Sequence, residues 1–194
     1  LSFTNVLAML ELGGIPLRRA DRRDGDPVVI AGGPCCFNPA PMSAFIDAFV
    51  IGEGEEAIGE IAAVMTREKE RGAGRDTKLS ALAELTGVYV PAVHLPGGKI
   101  TKRVVADLNV WRSPLRPLAP LMKTVHDRAV LEIARGCTRG CRFCQAGMVW
   151  RPVRERNPGV LQDMADRMLA ATGQEELSLL SLSSGDYTCI ESLL

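Results

Sequence analysis

Arg135-Gly136-Cys137-Thr138-Arg139-Gly140-Cys141-Arg142-Phe143-Cys144 is the stretch from which the rest of this chain is best read. It follows the apolar run Ala129-Val130-Leu131-Glu132-Ile133 and sets three cysteines in a Cys-x-x-x-Cys-x-x-Cys pattern. A strand that hands over at its carboxyl end to a polar, chemistry-bearing loop is the building unit of alternating β/α folds. Three thiolates on so short a loop can converge on one inorganic centre. Tetrahedral zinc normally takes four ligands, often as two separated Cys-x-x-Cys pairs, and no second pair is present. The other candidate is a cubane iron–sulfur cluster, which soft thiolates suit and which three cysteines would leave with one iron lacking a protein ligand. Arg135, Arg139 and Arg142 can offset part of the negative charge either centre imposes.

Downstream, Asn157 caps a helix that has Pro158 at its first position. Val160, Leu161, Met164, Met168 and Leu169 form its apolar stripe, and Gly173 stops it. Leu177 to Leu182 reads as a second strand, so the span from Ala129 to Leu182 is one β-α-β unit. Ser183-Ser184-Gly185-Asp186 then lies at the carboxyl end of that strand, facing the same mouth as the cysteines. From residue type alone it is a turn after a strand.

Upstream, Leu108 to Met122 holds Pro114, Pro117 and Pro120 among apolar residues, which predicts a stiff linker pinned by Trp111. Val88-Tyr89-Val90, a glycine turn at Pro96-Gly97-Gly98-Lys99, and Ile100 to Val105 read as a β-hairpin. Before them, a helix with an apolar side of Val6, Leu7, Met9, Leu10 and Leu12 precedes a buried strand over Val28–Ala31. A second strand covers Ala48–Ile51. Gly52-Glu53-Gly54-Glu55-Glu56 leads into a helix near Glu55–Arg71 with Ile58, Ile61, Ala62 and Met65 on its buried side. That order gives a doubly wound α/β half-domain. Gly32-Gly33 ends the first strand, either as a turn needing positive φ or as backbone left bare for close approach of a bulky ligand.

The cysteine run, with aromatic Phe143 just before its last cysteine, resembles the signature of radical S-adenosylmethionine (SAM) enzymes. Ile30-Ala31-Gly32-Gly33-Pro34 and Ile51-Gly52-Glu53-Gly54-Glu55-Glu56 resemble the end of a cobalamin-binding-type Rossmann domain that precedes the radical barrel. His126-Asp127-Arg128, Gln145-Ala146-Gly147 and Arg151-Pro152-Val153-Arg154-Glu155-Arg156 resemble a two-domain subfamily of such proteins. The resemblance implies an incomplete Rossmann-like domain over 1–87, a hairpin and Pro-rich connector over 88–122, and the first unit of a partial (β/α) barrel over 123–194. It also implies a [4Fe–4S] cluster on Cys137, Cys141 and Cys144, with SAM at the open iron and Phe143 beside its adenine. Ser184-Gly185-Asp186 is similar to the Gly-Gly-Glu stretch that holds the amino group of SAM, with Ser for Gly and Asp for Glu. Gly32 and Gly33 would flank cobalamin, although the Asp-x-His-x-x-Gly motif for its lower ligand is absent from this sequence. A flavodoxin- or ferredoxin-like reductant is the implied partner. The resemblance names no reaction or catalytic residue beyond this, and methyl transfer, sulfur insertion and tRNA modification are all compatible with it.

Composition bounds these readings. Across 194 residues, Lys plus Arg and Asp plus Glu stand at 23 each, so bulk charge points neither to nucleic acid nor to an acidic membrane surface. Six cysteines, with Cys35 beside Cys36 and three in one loop, fit a reducing compartment better than a disulfide framework. No signal peptide and no apolar run long enough for a bilayer is visible, so a cytoplasmic protein is expected. The chain begins at Leu1 without methionine and ends at Leu194 on an apolar segment, as an internal piece of a longer enzyme would. Such a piece, holding part of a barrel, is expected to be inactive alone. The alternative is a zinc-binding interaction module using the same cysteines plus His126 or water.

Overall fold

The computed structural model describes residues 2–122 and 125–193 and divides the chain into two units, Leu1–Val105 and Ala106–Leu194. Leu1, the expected opening of the second domain at Lys123, and Leu194 lie outside the described residues. Among the described residues, no helix is long and apolar enough to cross a membrane.

Strand alternation builds the first unit. Strand β1, Ile30–Ala31, runs parallel to β2, Ala48–Val50, with Ile30 opposite Ala48 and Ala31 opposite Phe49. Side chains leave a strand on alternate faces. Ala48 therefore joins Ile61 and Val64 of one helix and Leu79 and Leu82 of the next, while Phe49 and Ile51 meet Cys36, Met42 and Ile46 on the other face. The two helices are α2, Ala57–Glu70, and α3, Arg75–Ala83; Val6 and Leu7 of α1, Ser2–Leu12, cover the second face. Burial on both faces is why these strands read as continuous apolar runs.

Three expectations for this unit are corrected. The hairpin over 88–105 does not form. Strand β3, Val88–Tyr89, pairs antiparallel with β2 instead, Phe49 opposite Tyr89 and Val50 opposite Val88, which makes the sheet mixed. Joining an existing sheet buries Val88 and Val90 against α2 and α3, whereas a lone two-stranded hairpin has little to bury. The segment expected as the hairpin's return runs along β2 as an isolated parallel bridge between Gly52 and Arg103. The helical stripes are only partly as expected. In α1 Val6, Leu7 and Leu10 turn inward while Met9 and Leu12 are exposed; in α2 Ile61 and Met65 turn inward together with Ala57 and Val64, while Ile58 and Ala62 are exposed.

A buried charge cluster ties the unit together. Asp47 Oδ2 accepts from Arg22 Nη1 at 2.7 Å and from Val29 N at 2.8 Å, and pairs with Arg75 Nη2 at 2.7 Å. Arg22 also donates to the carbonyls of Pro16, Leu17 and Phe45, so the loop before β1 is fastened to the head of β2. A sequence window that sees only a charged turn over 18–26 contains one side of this cluster and not the other.

In the second unit the expected strand–helix–strand order is present. Strand β4, Ala129–Glu132, and a parallel partner, Leu177–Leu180, pair in register from Ala129 with Leu177 to Glu132 with Leu180. Between them the helix Pro158–Thr172 packs Leu161, Met164 and Met168 against Ala129, Leu131 and Ile133. Asn157 Oδ1 accepts from Gly159 N at 2.9 Å and Gly173 closes the far end, as the capping residues predict.

Candidate functional site

The cysteine loop is gripped at its neck. Strands β5, Ala134–Arg135, and β6, Arg154–Glu155, pair antiparallel, so the 18 residues between Arg135 and Arg154 form a closed excursion. Within it a single turn of helix, α4, spans Ala146–Val149. Gly136, at φ +91°, brings the two arms together: a Cβ there would lie 2.7 Å from the Trp150 carbonyl and 2.8 Å from that of Pro152. The Arg151–Pro152 peptide in the returning arm is cis.

Below the neck, Glu132 accepts from Arg135 Nε at 2.7 Å and Nη2 at 3.0 Å, and from Arg156 Nη2 at 3.0 Å. Burial alone would push the Glu132 carboxyl up; Arg135 and then Arg156 outweigh it and hold the group below its usual value. Arg156 is 2% exposed and donates to the carbonyls of Glu132 at 2.9 Å, Trp111 at 2.8 Å and Leu108. Tyr187 Oη donates to the Arg156 carbonyl at 2.8 Å. Trp111 is thus pinned through its backbone rather than its ring. In the sequence Arg156 is only one member of an arginine-rich motif; in the structure its guanidinium is the buried anchor of the neck.

Cys137, Cys141 and Cys144 are all free thiols, Cys141 exposed and the other two half-buried. Arg139 N donates to Cys137 Sγ at 3.4 Å, and Cys144 N donates to the Cys141 carbonyl at 3.0 Å. Cys141 and Cys144 line a hollow of about 360 Å³ with Arg142, Phe143, Met148 and Arg151. Cys137 lines another, of about 530 Å³, with Thr138, Arg151, Pro152 and Val153. Among the described residues, no three His, Cys, Asp or Glu side chains are gathered closely enough to hold a metal ion. The expected ligands therefore share a loop without sharing one coordination sphere. As a donor set they fit an iron–sulfur cluster, being three soft thiols, free of disulfides, on one anchored loop. Cys36 is different, since burial and then the neighbouring Cys35 push its thiol up, as for a small core residue.

The loop meets the end of the following strand. After β7, the strand Leu177–Leu180, Ser184–Asp186 forms one 3-10 turn. Asp186 accepts from Arg139 Nε at 2.7 Å and from Arg139 Nη2, and Ser183 Oγ donates to it at 2.7 Å. The Arg139 guanidinium and then the Ser183 hydroxyl hold the Asp186 carboxyl down at about 2. The structure thus brings the cysteine loop and the Ser184-Gly185-Asp186 turn together through an ion pair absent from the sequence reading. Phe143 is 92% exposed, its ring open to solvent beside Cys144.

The remaining residues singled out from sequence lie elsewhere. Gly33 has φ +99° and opens the turn Pro34–Phe37, which accounts for it locally; a Cβ on Gly32 or Gly33 would meet nothing within 4 Å. His126 precedes β4 and lines a hollow with Pro114, Arg128 and Gln174. The cysteines follow the other end of that strand, which four residues make ~13 Å long. His126 is therefore not grouped with the thiols.

Residues 1–91 match the family model described as radical SAM proteins, N-terminal, a match that supports the radical SAM family and stops before the cysteine loop. The chain is 28% identical over 179 residues to an uncharacterized protein of Methanocaldococcus jannaschii. That alignment covers 89% of this chain and 36% of the relative, so the chain spans about a third of the curated protein it matches. No solved structure matches it.

Proposed function

We propose that this chain is part of a radical SAM enzyme in which Cys137, Cys141 and Cys144 hold a [4Fe–4S] cluster. The observation that carries the reading is the Cys-x-x-x-Cys-x-x-Cys run of free thiols on a loop clamped at the carboxyl end of β4 and β5. The family match over 1–91 supports it from a separate part of the chain. When bound, the reduced cluster supplies the one electron that cleaves SAM to methionine and a 5′-deoxyadenosyl radical. The chain's own residues bind and orient. Asp186, presented by the Ser184–Gly185 turn, accepts a hydrogen bond from the amino group of SAM. Phe143 offers an exposed ring for the adenine. Arg139 and Arg142 balance thiolate charge around the loop, and Glu132 with Arg156 keeps the neck in place. In the first unit, Gly32 and Gly33 leave bare backbone for a corrinoid. A flavodoxin- or ferredoxin-like protein is the electron source.

Anaerobic reconstitution with iron and sulfide tests the centre. The expected product is brown, with stoichiometric iron and sulfide, and Cys→Ala at 137, 141 or 144 brings iron to background. A colourless protein that takes up zinc and no sulfide would overturn the reading. No observation favours zinc: His126 lies before β4 and lines a hollow that none of the three thiols shares.

A further inference from the structure

Resting on that reading, we propose that Arg139 is the residue that binds the carboxylate of SAM, working as a pair with Asp186 on the amino group. In the structure the two side chains satisfy one another through a two-pronged ion pair, Nε to Oδ2 at 2.7 Å and Nη2 to Oδ1. Both are open to a ligand, Arg139 being 64% and Asp186 32% exposed. An exposed pair of this kind contributes little to stability, so exchanging it costs little. The amino-acid end of SAM carries the complementary groups, a positive amino group and a carboxylate on one carbon. When it enters, one protein–protein pair is replaced by two protein–ligand pairs and no charge is left uncompensated.

The geometry of the donors suits the assignment. A guanidinium presents two parallel N–H groups that match a carboxylate, which a lysine ammonium does not. Ser183 Oγ, 2.7 Å from Asp186 Oδ2, keeps that carboxylate in place once Arg139 turns to the ligand. The backbone of Arg139 rests on Cys137 Sγ at 3.4 Å, so the side chain that reads the carboxylate grows from a fixed point beside a cluster thiol. Arg167, on the helix Pro158–Thr172 and 3.7 Å from Asp163, has no part in the cysteine loop or the Asp186 pair, which makes it the natural control.

The test uses the cluster-loaded chain, with iron content measured first, and titrates SAM and decarboxylated SAM. Arg139→Gln is expected to weaken SAM about 10- to 100-fold while leaving the decarboxylated compound within about twofold, the loss expected for a charge-assisted bidentate contact. Arg139→Lys keeps the charge without the fork, so it restores part of the SAM affinity and leaves a reduced preference for SAM over the decarboxylated form. Arg167→Gln leaves that preference unchanged. Equal weakening of both compounds by Arg139→Gln, or an unchanged preference in Arg139→Lys where the Gln variant loses iron, would overturn the carboxylate role alone. Failure of cluster-loaded wild type to bind SAM at all would overturn the proposed function, and this inference with it.

Discussion

The loops that leave the carboxyl ends of β2 and of β4 and β5 are treated in opposite ways. After β2, Gly52 takes φ +117° and backs directly onto Arg103, whose carbonyl any Cβ there would overlap. Glu53, 6% exposed, donates its N–H to the Arg103 carbonyl at 3.1 Å and accepts from Val105 N at 2.6 Å. The Arg103 guanidinium then spans Glu56 and Glu60 on the far side. The carboxyl end of β2, one of the places where an open α/β sheet receives a ligand, is filled by the chain itself, whereas Gly32 and Gly33 after β1 are not covered in this way. After β4 and β5, the cysteine loop is gripped at the neck, while Cys141 and Phe143 beyond it remain exposed. Equivalent strand ends are thus spent on architecture after β2 and left available for chemistry after β4 and β5.

The sharpest way to break this contrast is Gly52→Ala. The new methyl group would meet backbone, which cannot swing aside, at a φ that alanine avoids. The expected loss is about 3 kcal/mol from the first unit, read as a shift of its urea midpoint with unchanged slope. A variant as stable as wild type would mean that residues 103–105 do not close the strand end in solution.

Next in size is Gly136→Ala, expected to cost about 1–3 kcal/mol because its Cβ would crowd the Trp150 and Pro152 carbonyls. Its second consequence separates the two loops: iron uptake on reconstitution should fall with it, whereas Gly52→Ala should leave iron uptake intact in protein that remains folded. Gly185→Ala, where a Cβ meets nothing within 4 Å, should change stability by less than about 0.5 kcal/mol. Full iron loading in Gly136→Ala would show that the neck does not present the thiols.

The same contrast explains what was legible in the sequence. Local signals were: Asn157 and Pro158 opened the helix they announced, Leu161, Met164 and Met168 face the core as their spacing requires, and the cysteines sit on a loop between strand and helix. Long-range partners were not. Nothing near Val88 says that its partner is Val50 rather than the next apolar run, because pairing is decided by which sheet buries more. The acidic run after Gly52 reads as complement to a helix dipole, but Glu56 of that run pairs with Arg103, 47 residues on. Arg139 likewise looks like charge balance until Asp186, 47 residues later, is placed against it. Arg22, Asp47 and Arg75 form one buried cluster drawn from three separate segments of the sequence.

The smallest expected effect is a pH dependence, and it tests whether the neck below the open loop is held by charge. The Glu132 carboxyl lies below the usual glutamate value because Arg135 and Arg156 outweigh the cost of burying it. A carboxyl depressed in the folded state adds stability above its unfolded pKa and loses it as pH falls through the folded one. Glu132→Gln keeps the shape and removes the charge, so at neutral pH it should cost about 1–2 kcal/mol, the value of charge-assisted hydrogen bonds in a partly buried site. As pH falls below the ordinary glutamate range, wild-type Glu132 becomes neutral too, and the gap between the two proteins should shrink toward zero. Urea melts of both proteins at neutral and acid pH give that double difference directly. A gap that stays constant would assign the neck to the β5–β6 backbone pairing and Gly136 alone, leaving Arg156 held by its three carbonyl partners rather than by Glu132.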